Sequence, residues 1–264
     1  MNSQDPKHLV DHLHHSAADG YSAKPQTYVT GRPEYPDEVE GWLRNDLGLG
    51  TGKTVLDLGA GTGKFSGKLL ATGAAVIAVE PVQAMLDQLV GQHPEIEAKI
   101  GAAQAIPLAD ASVDAVVCAQ SFHWFATPEA LDEIRRVLKP GGRLGLIWNV
   151  RDERVNWVAA LTKIMEPFEG DAPRYRTQHW RRLFPANGFG PLQEQHFANA
   201  HTGSPEQVIV DRVLSVSFIA ALPDAQHERV AAQVRELIAS SPELAGKALV
   251  TFPYETAAFV AARL

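Results

Sequence analysis

The sequence predicts an α/β fold built on a parallel sheet, and three observations lead there. Through the first 150 positions, short apolar runs alternate with amphipathic stretches of about ten residues, the pattern of βαβ units. Residues 74–80 (AAVIAVE) are apolar enough for a strand covered on both faces, and 113–119 (VDAVVCA) read as another strand. The run 54–58 (TVLDL) passes directly into Gly59, Gly61 and Gly63. Three glycines so close together cost backbone entropy and mark a tight strand-to-helix turn.

Residues 1–20 are polar, which predicts a weakly ordered tail. Pro33 and Pro36 interrupt any earlier helix and set up one over 37–47, with Val39, Trp42, Leu43 and Leu47 on one face. A strand over 54–58, a helix over 63–72, a strand over 74–80 and a helix over 82–92 follow. Next come a strand over 113–119, a helix over 128–138 that stops before "KPGG", and a strand over 143–149. Beyond residue 150 the pattern loosens. Helices are expected over 153–166, 175–185, 205–221 and 224–240, a strand over 193–201, and a last strand within "ALVTFPYETAAFVAA". No internal repeat or low-complexity linker divides this half, so it is expected to complete one domain. That gives a tail and arm over 1–36 and a single domain over 37–264, with a binding core over 37–150 and an elaboration over 151–264.

Composition narrows the function classes. Of 264 residues, 45% are hydrophobic and 21% charged, which suits a packed globular core. A net charge of −7 argues against nucleic acid as the main partner, because such partners favour a basic field. Cys118 is the only cysteine, which rules out an intrachain disulfide and fits a reducing compartment. The N-terminal stretch lacks the apolar centre of a signal peptide, and no apolar run approaches the ~20 residues of a membrane span. A soluble cytoplasmic protein is the expectation.

Two acids give the glycine turn a second meaning. Asp57 lies inside the first strand, where a carboxylate is costly unless paired. Glu80 closes the next strand, 21 positions after Gly59, well placed to accept hydrogen bonds from both hydroxyls of a ribose. With glycines that let a ligand approach the backbone and a following helix N-terminus, this points to a nucleotide-bearing ligand. The third glycine falls at Gly63, one position early for the dinucleotide pattern, and Ser66 holds the later place. The spacing therefore leans away from a nicotinamide dinucleotide.

"VLDLGAGTGKFS" (55–66), the acid of "AVEP" (78–81), "GAAQAIPLADASVDAVVCAQSFHWF" (101–125) and "IRRVLKPGGRLGLIWN" (134–149) resemble, in this order, the motifs of class I S-adenosylmethionine-dependent methyltransferases. The resemblance spans roughly residues 28–150. "YVTGRPEYP" (28–36) and "FHWF" (122–125) resemble the small-molecule branch that includes trans-aconitate methyltransferase-like proteins, and "PYETAAFVAARL" fits a final strand of that branch. The resemblance implies a Rossmann-like, seven-stranded, mostly parallel sheet with helices on both faces and an antiparallel last strand. It also implies S-adenosylmethionine as cofactor and S-adenosylhomocysteine as product.

Roles follow by the same resemblance. Gly59, Ala60 and Gly61 pack against the methionine and ribose parts, with Asp57 ordering the loop. Glu80 holds the ribose hydroxyls, and Pro81, Ala103 and Gln104 border the adenine. Gln120, Ser121 and Phe122 flank the methionine part. Tyr28 and Arg32 belong to an arm over the cofactor, the arginine gripping its carboxylate. Ala102 stands where the family often has an acid, so that contact with the adenine amino group is missing.

A sulfonium carries its own activated methyl group, so orientation and desolvation of an in-line nucleophile supply most of the acceleration, and aromatic faces can stabilise the charge. "SFHWF" (121–125) falls at the carboxyl end of a parallel strand, where open α/β sheets bind ligands. His123 is the candidate catalytic residue, to orient or deprotonate the acceptor; the plainer reading is a hydrogen-bonded spacer with Trp124 and Phe125 in the core. A carboxylate acceptor would need no base. Three further features carry less. His8, Asp11, His12 and His15 share helical spacing, but a solvated tail is the plainer reading and no metal is expected. "RYRTQHWRR" (174–182) holds four arginines that could serve RNA or an acidic substrate, although such a run is more often an exposed helix face. Cys118, among valines, reads as an inert buried thiol. The expected function is methyl transfer to a small molecule, with a carboxylate as one acceptor. The competing readings are a catalytically silent S-adenosylmethionine-binding protein, an RNA methyltransferase using 174–182 and, last, a nicotinamide-dependent oxidoreductase.

Overall fold

A computed structural model describes residues 32–264. Tyr28, His8, Asp11, His12 and His15 lie outside the described residues. The first element among the described residues is α1 (Val39–Gly41), which continues as a π-helix through Trp42–Asp46. Then come β1 (Thr54–Leu58), α2 (Ser66–Ala71), β2 (Ala75–Glu80), α3 (Gln83–Gln92), β3 (Glu97–Ile100) and β4 (Val113–Ala119). α4 (Pro128–Val137) leads into the long β5 (Leu138–Arg151), followed by α5 (Asn156–Met165) and β6 (Gln193–Gly203). A π-helical segment (Glu206–Asp211), α6 (Arg212–Leu214), α7 (Ser217–Ala220) and α8 (Asp224–Ser240) precede β7 (Val250–Ala262).

The seven strands form one sheet in the order β3-β2-β1-β4-β5-β7-β6. β7 runs antiparallel to both β5 and β6, and the other pairings are parallel. This is the Rossmann-like, mostly parallel sheet with an antiparallel last strand that the resemblance implied. The chain lays β2 and β3 on one side of β1 and crosses back to place β4 on the other. That reversal opens a crevice at the carboxyl ends of β1 and β4, where such sheets bind ligands.

Four expectations shift. β3 was missed because its four residues, EAKI, form a short polar edge strand that only pairing with β2 defines. The helix expected from residue 63 starts at Ser66, since the loop up to Phe65 is a series of turns. The helix expected over 175–185 is two short 3₁₀ turns, Tyr175–Thr177 and His179–Leu183, separated at Gln178, whose φ is 56°. The helix expected over 205–221 is broken into three pieces, of which the first is π-helical.

Two apolar cores cover the sheet faces. One gathers Phe122, Ile134, Trp148, Trp180 and Phe259, and the other Trp42, Leu43, Leu47, Leu69 and Leu89. A third packs α5, α8 and the π-helical segment around Trp157, Val230 and Phe252. Cys118 is fully buried and its thiol is pushed well above the usual range by burial, then by nearby Asp57. The π-helical turn after α1 sits on β5 at Gly145, where an added Cβ would lie 2.8 Å from Leu47 Cδ1 and 3.0 Å from Trp42 Cη2. Gly145→Ala therefore forces apart a closed contact of sheet and helix. The expected result is a loss of about 1–3 kcal/mol of stability, read as a lower urea midpoint at unchanged slope.

Candidate active site

The glycine turn, the ends of β2 and β4, and the arm over 32–35 line a cleft that opens to solvent. Gly59 makes the first bend at φ 70°, and a Cβ there would lie 2.8 Å from Ser121 Cβ. Its N–H donates to Val79 O at 2.8 Å, tying the turn to β2, while Ser121 Oγ donates to Leu58 O at 2.8 Å, tying β4 to β1. The floor is thus bare backbone held from both sides, which a larger residue at 59 would fill.

Glu80 is 5% exposed on the cleft wall. Its Oε2 accepts from Gly61 N–H at 2.9 Å and its Oε1 from Val82 N–H at 3.0 Å. Burial pushes its carboxyl up to about 7, opposed by those two backbone donors and reinforced by the Asp57 charge. Each oxygen keeps a second lone pair for a ligand donor. Asp57 lies below the loop rather than in the cleft. It accepts from Ser66 Oγ at 2.7 Å, fastening the start of α2 to β1, and burial raises its carboxyl to about 6 against that hydrogen bond.

Arg32, Gly59, Ala60, Gly61, Glu80, Pro81, Gln120 and Ser121 all line this cleft. Three expected contacts fall elsewhere. Phe122 is fully buried in the core, with its ring edge-on to Phe125 at 5.7 Å and to Trp180 at 6.5 Å. Gln120 at φ 58° and the 3₁₀ turn Phe122–Trp124 reverse the strand's alternation, so Trp124 and Phe125 face the cleft instead. Ala103 packs into the same core, and Gln104, half-buried beside it, also lies off the cleft wall.

Tyr35 and Asn149 are wall residues that sequence reasoning missed. Tyr35 meets Phe65 edge-on at 4.6 Å. Asn149 Nδ2 donates to Pro33 O at 3.4 Å and Glu34 O at 3.3 Å, so β5 holds the arm across the crevice.

A second cleft adjoins the first through Arg32, Gln120, Trp124, Asn149 and Arg212. Arg151, Arg174 and Arg176 also line it, and Glu153 is the one acid on its wall among the described residues. Arg176 pairs with Glu169 at 2.7 Å and Glu166 at 3.4 Å. Arg151 is different. Its hydrogen bond is to the Met165 thioether at 3.3 Å, a weak acceptor, and no carboxylate among the described residues lies within ion-pair distance. Burial, then Arg212 and Arg174, lower its guanidinium to about 9. It is a cation held among cations.

His123 faces this second cleft, not the first. Trp148 Nε1–H donates to its Nδ1 at 3.1 Å. Burial, then the Arg174 and Arg32 charges, hold the imidazole down at about 3. A neutral ring whose Nδ1 already accepts must carry its proton on Nε2. With that hydrogen bond in place, the free nitrogen of the neutral ring is a donor, an arrangement that suits orienting an acceptor better than deprotonating it.

Comparison with known proteins agrees with this geometry. The methyltransferase-domain family matches residues 56–146. A methyltransferase-like protein of Schizosaccharomyces pombe is 40% identical over 88% of this chain and 91% of its own. A methyltransferase of Mycobacterium bovis is 40% identical over 87% and 89%. The malonyl-[acyl-carrier protein] O-methyltransferase of Methylococcus capsulatus is 43% identical over 34% of this chain and 35% of its own. The solved YcgJ protein of Bacillus subtilis shares the fold, at a TM-score of 0.58 with 18% identity, over 86% of this chain and 99% of that one. With a glycine-floored cleft at the β1–β4 switch point and a relative this similar along nine-tenths of its length, the chain belongs to the class I S-adenosylmethionine-dependent methyltransferases.

Proposed function

We propose that the first cleft holds S-adenosylmethionine and that the second seats a small carboxylic acid, which is methylated on a carboxylate oxygen. The residues present fit the cofactor. The Gly59 floor admits a close approach, and Glu80 offers its spare lone pairs to ribose hydroxyls. Trp124 and Phe125 present aromatic faces where a sulfonium would meet the acceptor. The bound cofactor supplies a methyl group already activated for transfer.

The acceptor reading is carried by Arg151, a cation crowded by Arg174 and Arg212 in the cleft that opens onto the cofactor site. An acceptor carboxylate there would gain charge-assisted hydrogen bonds and offset the cost of confining these cations. Its oxygen would form the new bond to carbon as the sulfur–carbon bond breaks, the electron pair staying on sulfur. No proton is released, which suits a site whose histidine cannot take one. The similarity to an O-methyltransferase over a third of the chain supports the same reading. The RNA alternative gains nothing from 174–182, where Arg176 and Arg181 are paired with Glu169 and Glu194 and Trp180 is buried.

The test is methyl transfer from radiolabelled S-adenosylmethionine to a panel of mono-, di- and tricarboxylic acids, trans-aconitate among them. Base-labile methyl esters are expected. Saturable S-adenosylhomocysteine binding with no acid in the panel accepting a methyl group would sink the acceptor class while leaving the cofactor site standing.

A further inference from the structure

We infer that His123 meets the acceptor as a fixed hydrogen-bond donor through Nε2–H, and that Trp148 is the positioning residue that sets this tautomer. The inference rests on the acceptor reading above and goes beyond it by giving the histidine a role and a proton position. An indole N–H can only donate, so the 3.1 Å contact from Trp148 Nε1 requires the His123 lone pair to be on Nδ1. Nε2 then carries the hydrogen. Nε2 has no hydrogen-bond partner among the described residues and is open to the second cleft.

Trp148 is itself packed on its ring faces and edges. It is 1% exposed, 4.6 Å from the Trp180 ring and 5.8 Å from the Phe259 ring, between centroids. The donor is therefore aimed by a wedge of core aromatics, not by a flexible side chain. A neutral donor beside Arg151 and Arg174 has a use that another cation would not. It can bind the non-attacking oxygen of a carboxylate without adding charge that would pull the attacking oxygen away from the methyl carbon.

The other ionisable groups around this cleft are Arg32, Arg151, Arg174, Arg176, Arg212, Glu153 and Tyr175. Burial, then the Arg212 and Arg174 charges, lower the Arg151 guanidinium to about 9, and the Tyr175 phenol is raised by burial, then by the Glu194 charge. The Glu80 carboxyl of the adjoining cleft is raised to about 7, so an inflection near neutrality reports the histidine only where it disappears in His123→Ala.

The first measurement is the ¹⁵N–¹H two-bond correlation spectrum of the histidine rings in the full-length protein, from pH 6 to 8, with His123 assigned by its loss in His123→Gln. The Nε2–H tautomer is expected throughout. An Nδ1–H tautomer, or a ring that becomes cationic in this range, overturns the inference, and no acceptor is needed to see it. Trp148→Phe should release the tautomer into a mixture; an unchanged Nε2–H population there removes Trp148 from the proposal.

The second measurement uses the fastest acid of the panel at saturating S-adenosylmethionine. His123→Ala should raise its KM about tenfold, and His123→Gln, which keeps a donor, should recover most of that. The kcat profile should stay flat from pH 6 to 8. An inflection that disappears in His123→Ala would make the histidine a base and overturn the inference. So would an unchanged KM in His123→Ala. If no acid turns over, the acceptor reading has failed, and the tautomer result still decides the histidine.

Discussion

Glu80→Gln is expected to weaken S-adenosylhomocysteine binding by about 100-fold, through loss of charge-assisted hydrogen bonds to the ribose hydroxyls. The geometry makes glutamine a poor substitute. Both Glu80 oxygens accept backbone N–H groups, from Gly61 and Val82. A glutamine must turn its own NH₂ toward one of those donors, so the loop that floors the cleft loses an anchor together with the ligand contact. Titration calorimetry measures the change, and a Kd within threefold of wild type would remove Glu80 from the cofactor site.

The same carboxylate sets a pH dependence of definite sign. Its carboxyl is raised to about 7 in the folded protein, and that of Asp57 to about 6. Between ordinary carboxylate values and those raised ones, the folded protein holds more protons than the unfolded chain. The contribution of these two groups to stability therefore grows as pH falls from about 7 toward 4.5 and is lost as pH rises. Cofactor binding runs the other way, because ribose hydroxyls donate to the anion. Affinity is expected to fall about tenfold between pH 8 and pH 6 in wild type, and to be flat in Glu80→Gln. Thermal shift with and without S-adenosylhomocysteine reads both trends, and a wild-type affinity independent of pH over that range would contradict the ribose assignment.

The cofactor half of this site was legible because its signals are local. β1 ends where an apolar run meets a glycine and β2 where one meets an acid, and Asp57 and Glu80 stand out as carboxylates in strands with no other reason to carry them. Legibility failed where tertiary contacts decide. Phe122, Trp124 and Phe125 are all aromatic, and only the left-handed Gln120 and the turn after it determine that the first is core and the others face the cleft. β3 has no pattern of its own until β2 pairs with it. The second cleft is less readable still. Arg151 comes from the end of β5, Arg174 from the loop after α5 and Arg212 from the first residue of α6, separated by 23 and 38 positions. No periodicity in the sequence links them.

That convergence gives the largest effect expected on the acceptor side. Arg151→Met should raise the KM for the accepted acid by about 100-fold, the cost of losing a charged partner in a confined site. Two controls should stay still. S-adenosylhomocysteine affinity should be unchanged, because Arg151 lines only the second cleft. Thermal stability should hold or rise, since a cation crowded by Arg174 and Arg212 is replaced by an apolar chain beside Met165. Arginines kept for packing or ion pairing lose stability when truncated, whereas one kept for an anionic ligand loses function and leaves the fold intact. Arg151→Lys separates charge from geometry: it should restore part of the KM effect, because the ammonium keeps the cation but not the guanidinium's two-pronged grip on a carboxylate. A melting temperature several degrees lower with an unchanged KM would make Arg151 a structural residue, and the acceptor would then have to be sought without a buried cation to receive it.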